Sequence, residues 1–330
     1  MRVPLRYVEK KFTAMDFSGV FLSGTNKYAK KVLSFKKQKH IIMTRKKLSH
    51  TGMFLFTILS VFVPFACSQK AYISPDLTKL WETPAELKTP ESVLYDYQRD
   101  VFYVSNVNGN PSEKDGNGFI SRLKADGTIE NLQWITGLNA PKGMGLVDSL
   151  LYVSDIDEIV EMDVNSGKIL NKYPIPGSKF LNDITCDEGG RVFVSDMQDS
   201  KIYVLSDGKV SLWLSDPRLD GVNGLLVWEE DMYAGVKNAV LRISDDGRSV
   251  EEWIHETGGI DGLVTDGKGN FIFSDWTGHV YEATAHGKPV KLLDTTPVKM
   301  NAADIDFILD KNILLVPTFF DNRVVAYLVK

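Results

Sequence analysis

The sequence predicts an all-β protein, a six-bladed β-propeller over residues 76–330 in which an N-terminal strand closes the last blade. Three observations predict it: a turn signal repeated at an even spacing, strand-like runs on both sides of each turn, and a final unit one strand short. The turns are ADG ending at Gly127, NSG at Gly167, SDG at Gly208, DDG at Gly247 and AHG at Gly287, which stand 40, 41, 39 and 40 residues apart. Gly supplies positive φ in such a turn, and Asp or Asn tolerates left-handed geometry.

Each unit also carries a short apolar strand that ends in a polar or small residue. It reads FYVSN to Asn106, LYVSD to Asp155, FVSD to Asp196, MYAG to Gly235, FIFSD to Asp275 and LLVPT to Thr318. A further apolar run precedes it, such as GLLVW (224–228) or GLVT (262–265). Four short strands per unit at this period mean propeller blades, because one such sheet cannot bury both faces alone. A β-sandwich with a second domain does not explain the even spacing. The first unit is longer, and its excess falls in the Gly- and Asn-rich stretch NGNPSEKDGNG (108–118), predicted to overhang one face. The last unit stops at VVAYLVK, and LTKLWET (77–83) is predicted to supply its missing strand, removing an open edge.

The N-terminal part is of a different kind. Arg45, Lys46 and Lys47 precede a 14-residue apolar stretch, MFLFTILSVFVPFA (53–66), which is short for a bilayer span of about 20 residues. It ends at Ala66-Cys67-Ser68, and so resembles a bacterial lipoprotein signal in which Cys67 is lipidated; an ordinary signal peptide cleaved nearby is the alternative. The expected layout is an upstream stretch 1–42 outside the fold with Met43 as initiator, a signal at 43–66, a linker at 67–75 and the propeller. The expected location is periplasmic and lipid-anchored, with secretion or surface display as alternatives.

Residues 1–66 carry 13 Lys and Arg against 2 Asp and Glu, which leaves 25 against 41 for the remainder. An acidic folded part disfavours nucleic acid as a partner and suits cations or neutral ligands. Membrane contact is expected only through the acyl group. Cys186 is the one cysteine after Cys67, which excludes an internal disulfide or a Cys-based zinc site, and its apolar flank reads as a buried structural thiol.

In a propeller the innermost strand of each blade starts beside the axis. The residues just before those strands are Glu91, Lys142, Asn182, Asn223, Asp261 and Ala303. Four offer side-chain oxygens, the ligand type of a hard cation. Ca²⁺ is the leading candidate, ahead of Mg²⁺, Mn²⁺ or Zn²⁺. Turn formation by Asn-Gly and Asp-Gly explains any one of these pairs but not four at equivalent points.

The ordered set Glu91-Ser92, Asn182-Asp183, Asn223-Gly224 and Asp261-Gly262 resembles the gluconolactonase and senescence-marker-protein family, over about residues 77–330. The resemblance implies Glu91, Asn223 and Asp261 as metal ligands, Asn182 as a ligand directly or through water, and Asp261 as general base. It implies hydrolysis of a lactone or similar ester, with a small-molecule substrate. Two departures stand out. Lys142 holds a channel position, where it binds an anionic substrate group or pairs with Glu91 in place of a metal. The family's arginine two residues before the third-blade asparagine is replaced by Phe180, with Lys179 beside it. Lys142 and Lys179 are therefore the candidate substrate contacts. The three remaining histidines, His255, His279 and His286, read as solvated surface.

Gly262–Lys268 matches a phosphate-loop spacing, but Gly269 follows and the stretch joins two strands, so it reads as a hairpin. The competing function is a non-catalytic propeller that binds a sugar, peptide or protein on its loop face. For the N-terminal signal, Cys67→Ser should abolish acyl labelling and release the protein from the membrane fraction; unchanged membrane recovery would reject the lipid anchor.

Overall fold

Alternating apolar residues between glycine turns give each unit four strands, and the strands grow more exposed from the axis outward. The computed structural model describes residues 69–330; the expected upstream stretch, signal and Cys67 lie outside the described residues. Six antiparallel blades span 90–138, 141–174, 181–215, 225–255, 263–294 and 306–329. In the first blade the second strand, Val101–Asn106, is buried at all six positions. The outermost strand of the second blade, Lys168–Pro174, is mostly exposed.

Each interface between neighbouring blades holds its own apolar cluster. Tyr103, Ile120 and Leu138 of the first blade pack on Leu151, Val153 and Val160 of the second. Leu315 and Ala326 of the sixth meet Phe102 and Val104 of the first, so the ring is sealed by the same packing that builds it. The remaining four interfaces repeat the arrangement.

Closure follows the expected route. Leu77–Glu82 pairs antiparallel with Val324–Val329, with Leu77 opposite Val329 and Glu82 opposite Val325. One difference lies just before it: Tyr72 and Ile73, expected in a linker, pair with Asp294 and Leu293 as a fifth strand of the fifth blade. That blade's outer edge is otherwise unpaired, and a passing extended segment satisfies it.

The turn glycines behave as the repeat predicts at four of five places, with φ of 83° at Gly127, 66° at Gly167, 70° at Gly208 and 69° at Gly247. In the fifth turn the left-handed position falls on His286 (φ 56°) and not on Gly287, a one-residue shift of the turn. Gly127 has a second constraint, since a Cβ there would stand 2.4 Å from the ring of Trp81 on the closing strand. The stretch 262–268 is a hairpin: Asp266 N donates to Asn270 O at 3.1 Å between Leu263–Thr265 and Asn270–Asp275.

Around the axis the start of the inner strand departs from regular pairing in the first three blades. The register shifts between Pro90 and Val93, between Pro141 and Met144 and between Leu181 and Ile184. A bulge leaves two adjacent residues unpaired, so both are available near the axis. The upper residues are Glu91, Lys142, Asn182, Asn223, Asp261 and Ala303. One step along stand Ser92, Gly143, Asp183, Gly224, Gly262 and Asp304, and here neighbouring blades touch. A Cβ on Gly143 would lie 2.5 Å from Asp183 Cα, one on Gly224 2.6 Å from Asp261 O, and one on Gly262 2.4 Å from Ile305 N. Hydrogen bonds cross at two further junctions: Ser92 Oγ donates to Asp304 Oδ2 (2.6 Å) and Asp304 N to Glu91 O (2.9 Å) between the sixth and first blades, and Leu225 N to Asp183 Oδ2 (2.6 Å) between the fourth and third.

The blades meet here through backbone, which cannot yield as a side chain does. Gly262→Ala should cost about 1–3 kcal/mol, lowering Tm by roughly 3–10 °C in a domain of this size. An unchanged melting curve would show that the blades at the axis are free to part.

Candidate functional site

The second strand of each blade fixes the residue that starts the inner strand. Asp155 Oδ2 accepts from Asn139 N (2.9 Å) and its Oδ1 from Ala140 N (2.8 Å), just ahead of Lys142. Asp196 likewise accepts from Lys179 N (2.9 Å) and Phe180 N (2.8 Å), just ahead of Asn182. The polar ends of the repeated VSD runs are thus clamps. Buried serines add to them: Ser195 Oγ accepts from Asp183 N (2.9 Å), and Ser274 Oγ accepts from Gly262 N (2.9 Å) while donating to Ala303 O (2.7 Å).

These clamps, with Asn106 Oδ1 accepting from Lys88 N (2.8 Å) and Gly235 O from Asn223 N (2.9 Å), bring Glu91, Lys142, Asn182, Asn223 and Asp261 to the floor of one cleft of about 880 Å³. All five are more than nine-tenths buried. Lys179 is not among the lining residues; its side chain is exposed, and the adjacent Phe180 forms that wall. The clamp explains this, because the Lys179 backbone is tied to Asp196 while the chain turns inward only at Phe180. Ala303 is fully buried and packs with Val107, Ala140 and Phe319 beneath the mouth. The glycine-rich loop expected to overhang a face contributes Gly109 and Pro111 to the cleft.

Two oxygens on the floor are buried without a hydrogen-bond partner, Glu91 Oε2 and Asp261 Oδ2. Asn223 Nδ2 donates to the other oxygen of Asp261 at 2.7 Å, and Asn182 Nδ2 faces Met197 Sδ at 3.9 Å. Lys142 does not pair with Glu91: its Nζ donates to Ala140 O at 3.3 Å and sits 4.7 Å above the centre of the Phe180 ring. The expectation that it replaces a metal through an ion pair with Glu91 therefore finds no contact here.

Beneath the floor lie Asp183 and Asp304, a second pair of buried carboxylates. Asp183 accepts Ile184 N (2.7 Å) and Leu225 N (2.6 Å), and Asp304 accepts Ser92 Oγ. Burial is the main influence on all four acids. Burial and the charge of Asp261 hold Glu91 well above the usual range for a glutamate, with Lys142 opposing. Burial pushes Asp261 up to about 7, against the Asn223 hydrogen bond. It pushes Asp183 up to about 8, against two backbone donors. Burial, then the charges of Asp183 and Glu91, holds Asp304 well above the aspartate range. Lys142 is lowered by burial, with Glu91 and Asp155 opposing.

The donor set suits a hard cation better than a soft one. Among the described residues no group of three or more His, Cys, Asp or Glu is placed to hold a metal. A cation here would draw instead on two unpartnered carboxylate oxygens and nearby amide oxygens, an all-oxygen set of the kind Ca²⁺ takes. The residues present fit such an ion.

Three features were not read from the sequence. The sequence carries Asp183 only as the second residue of an Asn-Asp motif, and it points to Ala303 in place of its neighbour Asp304. The aromatic mouth, with Trp276, Phe319 and Phe320 beside Phe180, was also missed. A signal for it existed: the residue after each polar-ended strand is Val107, Ile156, Met197, Val236, Trp276 or Phe319, always apolar. Cys186 is half-buried, and burial raises its thiol above the usual range. His255 is exposed beside Glu252 and His286 is exposed against Trp253, as expected, whereas His279 is held between Asp275 (2.7 Å) and Asp294 (3.4 Å).

No protein-family model matches the chain, and no curated protein matches it in sequence. Solved structures do share its fold. A catalytically inactive virginiamycin B lyase from Staphylococcus aureus with quinupristin superposes with a TM-score of 0.54 at 13% identity, covering 79% of this chain and 100% of the other. A streptogramin B lyase gives 0.54 at 12% identity, covering 79% and 98%. A gluconolactonase from Xanthomonas campestris gives 0.57 at 14% identity, covering 77% and 89%. At such identities the likeness is one of fold.

The acids give a pH dependence of definite sign. Between their unfolded values near 4 and the raised values of about 7 and 8, the native state holds protons that the unfolded chain has released. Stability in EDTA should therefore fall as pH rises from 5 to 8, and Asp304→Asn should flatten the slope. A Tm that rises over this range would show the axis carboxylates to be ionised without penalty.

Proposed function

We propose that the protein is a metal-dependent hydrolase of lactone or ester type, acting outside the cytoplasm. The observation that carries this reading is the pair of buried, unpartnered oxygens, Glu91 Oε2 and Asp261 Oδ2, on the floor of a ligand-sized cleft. Glu91, Asn223 and Asp261 would hold the cation, Ca²⁺ in first place, with Asn182 beside them directly or through water. When bound, such an ion polarises a carbonyl and stabilises charge developing on its oxygen.

The chain's own groups supply the remainder. Asp261, a buried carboxylate on the cleft floor, is the group placed to take a proton from water. Its Oδ1 accepts from Asn223 Nδ2, which fixes the carboxylate and turns Oδ2 toward the cleft, where a cation would sit and a water beside it would be deprotonated. Lys142 is the one buried lysine or arginine among the described residues, and it can receive the carboxylate that ester cleavage creates. The fold is one that enzymes acting on small molecules also use. The signal ending at Cys67 supports a site tethered by an acyl chain on the periplasmic side.

The alternative is a binder without turnover. It would share the aromatic mouth but has no use for a base at Asp261. Saturating Ca²⁺, at about 100 times Kd, should stabilise the fold by about 2.7 kcal/mol, which is roughly 5–10 °C in Tm. EDTA should reverse the shift. Asp261→Asn should remove it and lower kcat/KM on a responsive lactone by about 100-fold or more. No shift with Ca²⁺, Mg²⁺ or Mn²⁺ and no hydrolysis across a lactone and ester panel would leave the binding reading standing.

A further inference from the structure

The cleft has a charged floor and apolar walls. Phe180, Met197, Ile260, Trp276, Phe319 and Phe320 surround the opening. Trp276 and Phe320 are 44% and 62% exposed, large aromatic surfaces left in water at the entrance. They are not loose. Trp276 meets Phe319 edge-on with ring centres 5.6 Å apart, Phe320 at 5.5 Å, and the two phenylalanines meet at 4.9 Å. Such a cluster holds a rigid apolar face at little entropic cost.

The acid beside the aromatics is already engaged. Asp275 Oδ1 accepts from Thr277 Oγ1 (2.6 Å), Gly278 N (3.0 Å) and His279 N (3.0 Å), and its Oδ2 lies 2.7 Å from His279 Nδ1. Asp220 and Lys237 face each other at 3.4 Å, out in solvent. A ligand rich in hydroxyls would lose water at the aromatic walls and find few partners there in return, which costs it affinity. The space is also generous: 880 Å³ is the liquid volume of about 30 waters, the size of a drug-like molecule.

From this we infer the substrate class, an inference that rests on the hydrolase reading. The cleft takes a lactone or ester whose carbonyl reaches the floor and whose bulky alkyl or aryl substituent lies against Phe180, Trp276, Phe319 and Phe320. These four aromatics are the specificity-determining wall. Polyhydroxylated sugar lactones are excluded as preferred substrates by the same wall.

The test compares δ-valerolactone, δ-dodecalactone and glucono-δ-lactone, which share a six-membered ring and differ in what it carries. Each is assayed with Ca²⁺ on the wild type, Trp276→Ala, Phe320→Ala and Asp261→Asn, alongside calorimetric binding of δ-dodecalactone to wild type and Trp276→Ala. Burial of alkyl carbons raises affinity by about fourfold per methylene at best. δ-Dodecalactone should therefore exceed glucono-δ-lactone in kcat/KM by at least 100-fold. Trp276→Ala and Phe320→Ala should lower kcat/KM for δ-dodecalactone about tenfold through KM, with less than a threefold change for δ-valerolactone. Phe320 is exposed, so its variant guards against a folding defect in the other. Glucono-δ-lactone cleaved as well as δ-dodecalactone would overturn the inference and leave the hydrolase reading intact. Trp276-dependent binding of δ-dodecalactone without turnover of any lactone would overturn the hydrolase reading and support the apolar wall. Neither binding nor turnover would overturn both.

Discussion

The contact on which the molecule depends is the meeting of inner strands at the axis, where glycine lets one blade's backbone touch the next. Gly143, Gly224 and Gly262 stand against Asp183 Cα, Asp261 O and Ile305 N with no room for a Cβ. Two further junctions carry hydrogen bonds, the sixth-to-first through Ser92 and Asp304 and the third-to-fourth through Leu225. The geometry of the ring and that of the site are thus one constraint. Narrowing the axis buries Glu91, Asp183, Asp261 and Asp304 together, and that burial, helped at Glu91, Asp183 and Asp304 by the charges of neighbouring acids, raises their proton affinity.

Four acids and one lysine in such a space hold an electrostatic imbalance that protons or a cation can relieve. Aspartates in the lower layer are tied down, Asp183 by two backbone donors and Asp304 by Ser92. The upper layer is not, since Glu91 Oε2 and Asp261 Oδ2 have no partner. A polar network that is satisfied beneath and open above is directional. It presents its unmet demand to the cleft and to whatever enters through the aromatic mouth.

Much of this was legible in the chain before folding. The repeat fixed the blade count, because glycine turns at even spacing have few structural solutions. The short sixth unit pointed to closure by 77–83 for the same reason. Glu91, Lys142, Asn182, Asn223 and Asp261 were found because the start of an inner strand must face the axis. Asp304 escapes because a strand's alternation assigns it and Ala303 to opposite faces, whereas Asp304 bridges to Ser92 of the first blade ahead of the strand that begins at Asp306. Lys179 stays outside the cleft for a local reason: the Asp196 clamp holds its backbone before the chain turns inward at Phe180. Trp276 and Phe320 lie in connections, where apolar residues carry no period to reveal them.

The pairing of Leu77–Glu82 with Val324–Val329 joins segments some 250 positions apart along the chain. Loop-closure entropy makes such a contact late, whatever its final strength. Every earlier assembly is an open arc with an unsealed sheet edge and an incomplete axis, so no partial molecule presents the carboxylate floor in working order. Folding and acquisition of the site are then a single event, timed by the chain's own last strand.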